Sequence, residues 1–364
     1  MPKIASLVGG TANLMKLAPI HYELQHRGVD HAIIDVGLYT KTHGMALFAE
    51  LQLPVPAAIL GIDSRNASYI DTIKETAHEL AKALARFAPD ILLTYGDLNA
   101  VVAAAICTAR LKIPLGHVEA GLRNHDFSDT EEINRTIADK FSHWLFAASQ
   151  TGTQNLITEG HSREKIYFVG NTIIDCLKLH LPRIRKDLPA EWGLQNLSYG
   201  ICSFHRERNL ESKSRLEALL EGVRRVQEQT KLVFLAYQET TEALSHFGLE
   251  QNLRSMPNVL WFSRLGYSEF LTLLSGAKFV LTDSSGMQDE TAYLGIPCFT
   301  CLDVTHRTDS IDYGTNHLVG TDPATIAAQV LAVLHGERRS NILLPNLWDG
   351  GAASRIVSDL LHTV

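Results

Sequence analysis

Carboxylates and arginines cluster in two neighbouring segments of the sequence, in a pattern that suits proton transfer. The segment HVEAGLR places Glu119 directly after an apolar run, and the segment EEINR places Glu131 and Arg135 at the start of a helical pattern. Asp97 follows an earlier apolar run. Burial at the end of a strand raises the pKa of a carboxyl towards the range useful for acid and base catalysis. Several acids around one point therefore indicate proton transfer at a sugar or a similar substrate.

Structural explanations compete with this interpretation for some of the acids. Asp97 could cap the helix that follows it, because aspartate is preferred at that position. Glu131 and Glu132 could both interact with a helix dipole, and we expect only one of them to face a substrate. Glu119 is harder to explain in this way, because it comes directly after a predicted buried strand.

A small-residue loop at 283–286 follows an apolar strand and opens a helix. Ser284, Ser285 and Gly286 would expose backbone N–H groups at the helix N-terminus, which favours an anion such as phosphate. Ser284 could equally be an ordinary helix cap. Glu290 lies one to two turns further on, where its carboxylate could accept hydrogen bonds from ribose hydroxyls.

Two other loops carry candidate contacts with a phosphate-bearing ligand. His205 and Arg206 follow a predicted strand and suit a diphosphate, because a pair of donors can neutralise charge on a leaving group. Gly10 ends the first strand beside a second glycine and allows close approach of the backbone to a ligand. Lys16 lies one turn into the next helix, where it either contacts substrate or is a solvated surface lysine.

Composition excludes several classes of function. The 364 residues carry a net charge of −7, which gives no case for binding nucleic acid or an anionic membrane. No apolar run approaches the ~18–20 residues of a transmembrane helix. The N-terminus lacks the pattern of a signal peptide, so we expect a cytoplasmic protein.

The five cysteines fit reduced thiols in the protein core. Cys298 and Cys301 form a C-x-x-C motif, but no second pair completes a zinc site. Because the pair lies in an apolar run, we predict buried strand residues in preference to a redox or metal site.

Alternating apolar runs and amphipathic segments predict an α/β fold. Strands are expected at residues 4–8, 32–36, 91–95, 115–118, 144–147 and 166–169, with helices at 69–87 and 98–110. The pattern then restarts, with strands at 199–203, 232–235, 259–262, 279–282 and 298–301 and helices at 211–228, 239–247, 268–274 and 323–334. This order predicts two doubly wound parallel sheets.

The predicted domains are residues 1–180 and 181–345. Residues 181–198 suit a linker, and the amphipathic tail within 346–364 is expected to pack back across the hinge. In two such sheets the carboxyl ends of the strands would face a common cleft. Asp97, Glu119, His205 and the 283–286 loop all lie at such ends, so we expect them to converge.

Seven segments together resemble the non-hydrolysing UDP-N-acetylglucosamine 2-epimerases and their hydrolysing relatives. They occur in family order over almost the whole chain: HVEAGLR (117–123), EEINR (131–135), GNTIID (170–175), LTDSSGMQDE (281–290), LGIP (294–297), THR (305–307) and LVG (318–320). The resemblance implies a GT-B-like fold with two Rossmann-like domains and an interdomain cleft. It also implies a homodimer, no nicotinamide cofactor, no obligatory metal and a role in cell-surface polysaccharide biosynthesis.

In this family UDP is eliminated from the sugar to give a glycal and is then added back with C2 inverted. Three acids match the acid/base carboxylates of the family, namely Asp97, Glu119 and Glu131. His205 matches the histidine near the diphosphate. The matches to substrate or nucleotide contacts are Arg135, Ser284, Glu290 and Arg307.

Departures from the family pattern cluster around the ligand-binding loops. The first loop usually reads G-T-R-P-E, but residues 10–14 read GTANL, so an arginine near the substrate is missing. Residues 37–39 read GLY where G-Q-H is frequent, and we therefore expect no allosteric activation by UDP-N-acetylglucosamine. Thr130 replaces a proline, the order of Glu207 and Arg208 is reversed, and Tyr237 replaces a histidine. These changes indicate a divergent member whose sugar or nucleotide could differ.

Three alternative functions remain open from the sequence. A hydrolysing relative would release the free epimerised sugar and UDP. A glycosyltransferase of the same architecture is disfavoured, because the first domain carries the three matched acids. A catalytically silent nucleotide-sugar-binding protein is the third alternative, which the missing arginine keeps open.

Overall fold

The computed structural model describes residues 1–62, 68–263, 265–312, 315–336 and 343–362. The chain divides into an N-terminal unit of residues 1–179 and 346–364 and a C-terminal unit of residues 180–345. Each unit is built around one sheet whose described strands are all parallel, with helices between successive strands. The predicted α/β class with two parallel sheets is therefore confirmed.

The sheet of the N-terminal unit has a strand order that reverses at one point. Its described strands are β1 (Ile4–Val8), β2 (His31–Asp35), β3 (Ala58–Ile59), β4 (Ile91–Tyr95), β5 (Leu115–Ala120), β6 (Trp144–Ala147) and β7 (Ile166–Phe168). They lie in the order β3-β2-β1-β4-β5-β6-β7. The reversal between β1 and β4 is a topological switch point, and ligands of doubly wound folds bind beyond the strand ends there.

Helices of the N-terminal unit alternate with these strands. They are α1 (Thr11–His26), α2 (Thr42–Glu50), α3 (Tyr69–Phe87), α4 (Asn99–Leu111), α5 (Thr130–Phe141), α6 (Gln150–Thr158) and α7 (Thr172–His180). Every residue of β1, β4 and β5 is buried. Such strands are covered on both faces, which is why they read as continuous apolar runs in the sequence.

The C-terminal unit repeats the same design. Its described strands are β8 (Tyr199–Ser203), β9 (Lys231–Leu235), β10 (Val259–Phe262), β11 (Val280–Thr282), β12 (Cys298–Thr300) and β13 (Asn316–Leu318). They lie in the order β10-β9-β8-β11-β12-β13, so the switch point falls between β8 and β11. The helices are α8 (Leu188–Glu191), α9 (Glu207–Leu210), α10 (Lys213–Gln227), α11 (Gln238–His246), α12 (Glu250–Arg254), α13 (Tyr267–Gly276), α14 (Ser285–Leu294), α15 (Thr308–Asp312) and α16 (Pro323–Leu334).

The segment predicted as a linker, residues 181–198, packs within the C-terminal unit. It contains a 3₁₀ turn at Leu181–Arg183 and helix α8. Leu188 and Leu194 are buried, and the Arg185 N–H donates to Thr272 Oγ1 of α13 at 2.9 Å. The proline and glycine residues that suggested a linker therefore shape a folded connection.

The C-terminal tail forms helix α17 (Ala352–His362), which packs against α1 in the N-terminal unit. The Asp175 carboxylate accepts the backbone N–H groups of Ala352 and Ala353 at 3.3 and 2.7 Å. Since an anion is favoured at a helix N-terminus, this contact fixes the start of α17.

Other sequence expectations are refined by the structure. The prediction that Cys298 and Cys301 are buried is confirmed, and neither forms a disulfide. The strand predicted at 115–118 continues to Ala120, for a reason given below. In the described part of the chain, no helix has both the length and the apolar character needed to cross a membrane.

Candidate active site

Lys16 and Glu119 form a buried ion pair at the switch point of the N-terminal unit. The Lys16 Nζ donates to Glu119 Oε2, and the two side chains are only 5% and 3% exposed. The alternative of a solvated surface lysine is therefore wrong. An adjacent ammonium favours the ionised carboxylate and opposes the effect of burial.

Glu119 is the last residue but one of β5, which is an irregular strand. The register between β5 and β6 shifts between Val118 and Ala120, which is the mark of a β-bulge. Glu119 has a φ of +74°, in the left-handed region that side-chain-bearing residues seldom adopt. The bulge redirects one side chain of a buried strand, and this explains why the strand predicted at 115–118 is longer.

Asp97 and Glu131 are joined by the guanidinium of Arg135. Arg135 NH2 donates to Asp97 Oδ2 and lies 3.3 Å from Glu131 Oε2. Helix α4 is capped by Leu98 with no side-chain hydrogen bond, so the alternative that Asp97 caps α4 is wrong. Arg135, predicted as a substrate contact, is 1% exposed and lies against the two acids.

The paired glutamates at the start of α5 have different environments. Glu132 is fully buried and accepts the N–H groups of Asn124 and His125 at 2.9 and 3.2 Å. Glu131 is 22% exposed. Of the two glutamates, Glu131 is therefore the one that is partly exposed.

Gly96 lies between the Lys16–Glu119 ion pair and the acids Asp97 and Glu131 that Arg135 joins. It directly precedes Asp97 and has a φ of +66°. A Cβ placed on Gly96 would lie 2.8 Å from Lys16 Nζ and 3.5 Å from Glu119 Oε2. The strand end therefore needs glycine for its backbone conformation and for the space that the ion pair occupies.

Asn13 connects the first loop to β4, a role that we did not predict from the sequence. Its Nδ2 donates to the Tyr95 carbonyl at 3.0 Å, and its Oδ1 accepts the Gly9 N–H at 3.1 Å. Gly10, the predicted ligand-approach residue, precedes α1 as its N-cap in an extended conformation. A Cβ on Gly10 would meet Leu98 Cδ1 at 2.9 Å.

The switch point of the C-terminal unit is organised by the buried carboxylate of Asp283. Asp283 accepts the backbone N–H groups of His205 and Arg206 at 2.9 and 3.1 Å. It also accepts Asn209 Nδ2 at 2.9 Å. The small-residue loop after β11 therefore fixes the shape of the loop after β8. Asp283 and Asn209 were not predicted as site residues, because their partners are distant in sequence.

His205 and Arg206 lie beside the start of α14. The His205 Nδ1 is 3.4 Å from Asp283 Oδ1, and its ring packs edge-on against Tyr237 at 5.5 Å between centroids. Burial lowers the pKa of His205 and outweighs the opposing effect of Asp283. Arg206 NH2 donates to Ser285 Oγ. A neutral imidazole and a guanidinium thus flank the same helix N-terminus.

Ser284 is the N-cap of α14, and its hydroxyl accepts the Met287 N–H at 3.5 Å. The helix-cap and anion-binding interpretations of this loop are compatible with each other, since a capped helix start can also present N–H groups to an anion. Ser284, Ser285 and Gly286 are half-buried. A Cβ on Gly286 would have only Ser284 Oγ nearby, at 4.0 Å.

Two predicted nucleotide contacts farther along the chain are buried. Glu290 Oε1 accepts the Tyr267 hydroxyl at 2.9 Å, and burial raises the pKa of Glu290 to about 8. Arg307 NH1 pairs with Asp289 Oδ2 at 3.1 Å. Glu290 is therefore mainly protonated at neutral pH.

An apolar recess lies beyond the carboxyl ends of β9 and β10. It is lined by Leu235, Ala236, Tyr237, Phe262, Ser263, Leu265 and Phe270. Tyr237 also contacts His205. No sequence motif pointed to this recess. Across the described ranges, no group of three His, Cys, Asp or Glu residues has the arrangement of a metal site.

These features define a doubly wound α/β protein with carboxylates at one switch point and a small-residue loop that opens a helix at the other. The sequence profile of the UDP-N-acetylglucosamine 2-epimerase family matches residues 22–361, and the chain belongs to that family. The UDP-N-acetylglucosamine 2-epimerase of Methanocaldococcus jannaschii is 33% identical over 367 residues, with 99% of each chain covered.

Two solved structures and a further relative extend the comparison. The M. jannaschii enzyme in complex with UDP-N-acetylglucosamine and UDP has a TM-score of 0.92 at 32% identity, with 99% of both chains covered. The Neisseria meningitidis enzyme bound to UDP-N-acetylglucosamine has a TM-score of 0.91 at 25% identity, covering 99% of this chain and 100% of that one. A UDP-2,3-diacetamido-2,3-dideoxy-D-glucuronate 2-epimerase of Pseudomonas aeruginosa is 26% identical, with 99% of each chain covered.

The buried carboxyl of Glu290 predicts a pH-dependent cost to stability. Between the ordinary pKa of 4.5 and about 8, the unfolded state is ionised while the folded state retains the proton, so stability falls as pH rises. Glu290→Gln keeps an acceptor for Tyr267 and removes the titration. The variant should therefore gain melting temperature over the parent, and this gain should grow from pH 5 to pH 8.

Differential scanning fluorimetry at these two pH values measures the gain. Tyr267→Phe keeps the carboxyl and removes its hydrogen bond, so this control should retain the pH dependence of the parent. An equal effect of Glu290→Gln at both pH values would contradict the prediction.

Proposed function

We propose that this chain inverts C2 of UDP-N-acetylglucosamine or a related UDP-sugar. The C2 proton leaves as the C1–O bond to UDP breaks, which gives a glycal and UDP. The proton then returns to the opposite face of C2 as the C1–O bond re-forms. The observation that carries the proposal is the group of three acids held by Lys16 and Arg135 at the switch point of the N-terminal unit, in a member of this family.

We assign proton transfer at C2 to Glu119, Asp97 and Glu131. A sugar C2–H is weakly acidic, so the base must lie within hydrogen-bond reach of it. Inversion needs a proton donor on the face opposite the base, and the site offers more than one carboxylate. Lys16 and Arg135 stabilise the carboxylates electrostatically and limit their rotation.

We assign the diphosphate to the C-terminal unit. Negative charge develops on UDP as the C1–O bond breaks, and Arg206, His205 and the N-terminus of α14 can stabilise it. This assignment is supported by two contacts: the His205 N–H donates to Asp283, and Arg206 NH2 donates to Ser285 Oγ. The Glu290 carboxyl remains our candidate for the ribose hydroxyls, and Arg307 for a further contact.

A single assay in D2O tests the reaction class. The parent protein, incubated with a panel of UDP-sugars, should introduce deuterium at C2 and convert the sugar to its C2 epimer while the UDP linkage is kept. Initial rates should depend hyperbolically on substrate concentration, because residues 37–39 lack the family's effector pattern. Free epimerised sugar in the NMR spectrum would instead identify a hydrolysing enzyme.

Glu119→Gln tests the proton-transfer role in the same assay. Loss of the carboxylate should lower turnover by about 10²–10⁴-fold, since a positioned acid or base contributes that much. Binding of UDP, measured by calorimetry, should remain close to that of the parent. Undiminished deuterium incorporation by the variant would rule out Glu119 as an acid or base.

Gly96→Ala tests whether the site depends on the space beside Asp97. The new methyl group would displace Lys16 Nζ, which lies 2.8 Å from its position, and weaken the ion pair with Glu119. We expect turnover to fall by roughly 10²-fold, as for a misplacement of about 1 Å.

Gly160→Ala is the matched control for this substitution. Gly160 also has a positive φ, of +83°, but no atom of the described residues lies within 4 Å of its Cβ position. Both variants pay a similar cost of about 1–2 kcal/mol for the left-handed conformation. If both lose the same activity, backbone strain and not the ion pair explains the effect.

We also propose that the chain forms a homodimer through α3, α4 and α5 of the N-terminal unit. These adjacent helices expose apolar side chains at Ile70, Ile106 and Phe141, of which 66%, 50% and 48% is accessible. Exposed apolar residues on neighbouring helices are typical of an interface with a second copy.

Sedimentation velocity at micromolar concentration tests this assembly. The parent should sediment as a dimer and Ile106→Glu as a monomer, because the new charge would be buried unpaired. Leu197→Glu, at an exposed apolar residue of the other unit, should remain dimeric. A parent protein that sediments as a monomer would refute the proposal.

A cytoplasmic location and a role in cell-surface polysaccharide biosynthesis complete the proposal. The five unbridged, buried cysteines support a reducing compartment.

A further inference from the structure

Asp139 of α5 binds the strand β5 on both sides of Glu119. Its Oδ1 accepts His117 Nδ1 at 2.6 Å, and its Oδ2 accepts the backbone N–H of Gly121 at 3.1 Å. His117 and Gly121 are the residues two before and two after Glu119. One fully buried carboxylate therefore fixes the two ends of the segment that contains the bulge.

The conformation of that segment needs such a constraint. Glu119 and Gly121 have φ angles of +74° and +79°, and a Cβ on Gly121 would collide with the Gly152 carbonyl oxygen at 2.2 Å. A non-glycine residue in the left-handed region costs about 1–3 kcal/mol and persists only where its surroundings hold it there. The two hydrogen bonds to Asp139 supply that hold.

His117 extends the constraint to the neighbouring strand. Its Nε2 donates to the Gly96 carbonyl oxygen at 2.7 Å, at the end of β4. Both partners of the ring are oxygen acceptors, so each ring nitrogen faces an acceptor. Gly96 precedes Asp97 and borders the Lys16–Glu119 pair. The same contact chain therefore reaches two of the three acids.

Charge balance keeps Asp139 ionised in the core. Arg123 NH2 donates to Asp139 Oδ2 at 2.7 Å, and Arg123 also binds Glu159. Although burial alone would raise it, the charges of His117 and Arg123 hold the pKa of Asp139 below its ordinary value. The network thus joins His117 and Arg123 to the carboxylates of Asp139 and Glu159.

We propose that Asp139 is a positioning residue for the epimerase reaction, which holds Glu119 in its bulge and, through His117, fixes the Gly96–Asp97 turn. Asp139 is fully buried and acts through Glu119 and His117, not on the substrate itself. This inference rests on the proposed function. Its prediction is a loss of turnover without loss of nucleotide binding, because UDP is assigned to the C-terminal unit.

Asp139→Asn tests this role with little change of shape. The amide nitrogen cannot accept a hydrogen bond, so at least one of the contacts to His117 and Gly121 is lost. We expect kcat to fall by about 10²-fold, as for a displaced catalytic group, with KM and the Kd for UDP within about threefold of the parent. His117→Gln, which keeps one donor, should give a partial loss in the same sense.

Glu159→Gln is the matched control. It also replaces a carboxylate bound to Arg123 by an amide, but within the described residues the Glu159 carboxylate pairs with Arg123 and His161 and not with residues 117–121. If Glu159→Gln lowers kcat as much as Asp139→Asn at similar melting temperatures, the network only stabilises the fold and the proposal fails. Unchanged kcat in Asp139→Asn would also overturn it.

A crystal structure of Asp139→Asn gives a second readout that does not depend on activity. Glu119 should leave the left-handed region, and its ion pair with Lys16 should lengthen or break. An unaltered bulge would refute the proposal whether or not the parent epimerises a UDP-sugar. If the parent is inactive but the bulge collapses in the variant, the proposed reaction fails while the positioning role of Asp139 on Glu119 stands.

Discussion

The buried ion pair of Lys16 and Glu119 is the constraint on which the N-terminal unit depends. An ionised carboxylate can be buried only when a partner charge and hydrogen bonds replace water, and removal of one partner typically costs about 3–5 kcal/mol. Lys16 comes from α1, and Glu119 comes from β5. The chain must therefore bring the first helix, the end of β4 and a bulged strand together at one point. Glycine at position 96 and the left-handed Glu119 are consequences of that requirement.

In the C-terminal unit the charges have the opposite roles, because a buried carboxylate holds hydrogen-bond donors in place. There the buried group is the Asp283 carboxylate, and it binds the backbone of His205 and Arg206. In the N-terminal unit, cations hold carboxylates that are suited to accept a proton. In the C-terminal unit, a carboxylate holds donors that are suited to bind an anion. The same doubly wound topology thus presents carboxylates at one switch point and hydrogen-bond donors at the other.

Sequence patterns predicted the elements better than the contacts between them. Buried parallel strands such as β1 and β4 are continuous apolar runs, so their positions follow from local sequence. The acids at strand ends were found for the same reason. The bulge at Glu119 and the contacts of Asp139 could not be predicted, because they join residues that are distant in the sequence. Asp139 lies within a helix and resembles any polar helical residue until its partners are known.

The first loop illustrates how a family member can change its ligand-binding residues while it keeps its fold. The arginine typical of the family is absent, yet the loop remains attached to β4, because Asn13 binds both the Gly9 N–H and the Tyr95 carbonyl. Lys16 keeps its place beside Glu119. The structural requirement of the loop is therefore met by Asn13, and the ion pair of Lys16 and Glu119 is kept. The absence of the arginine therefore changes what the loop offers to a ligand and leaves the attachment of the loop to β4 intact.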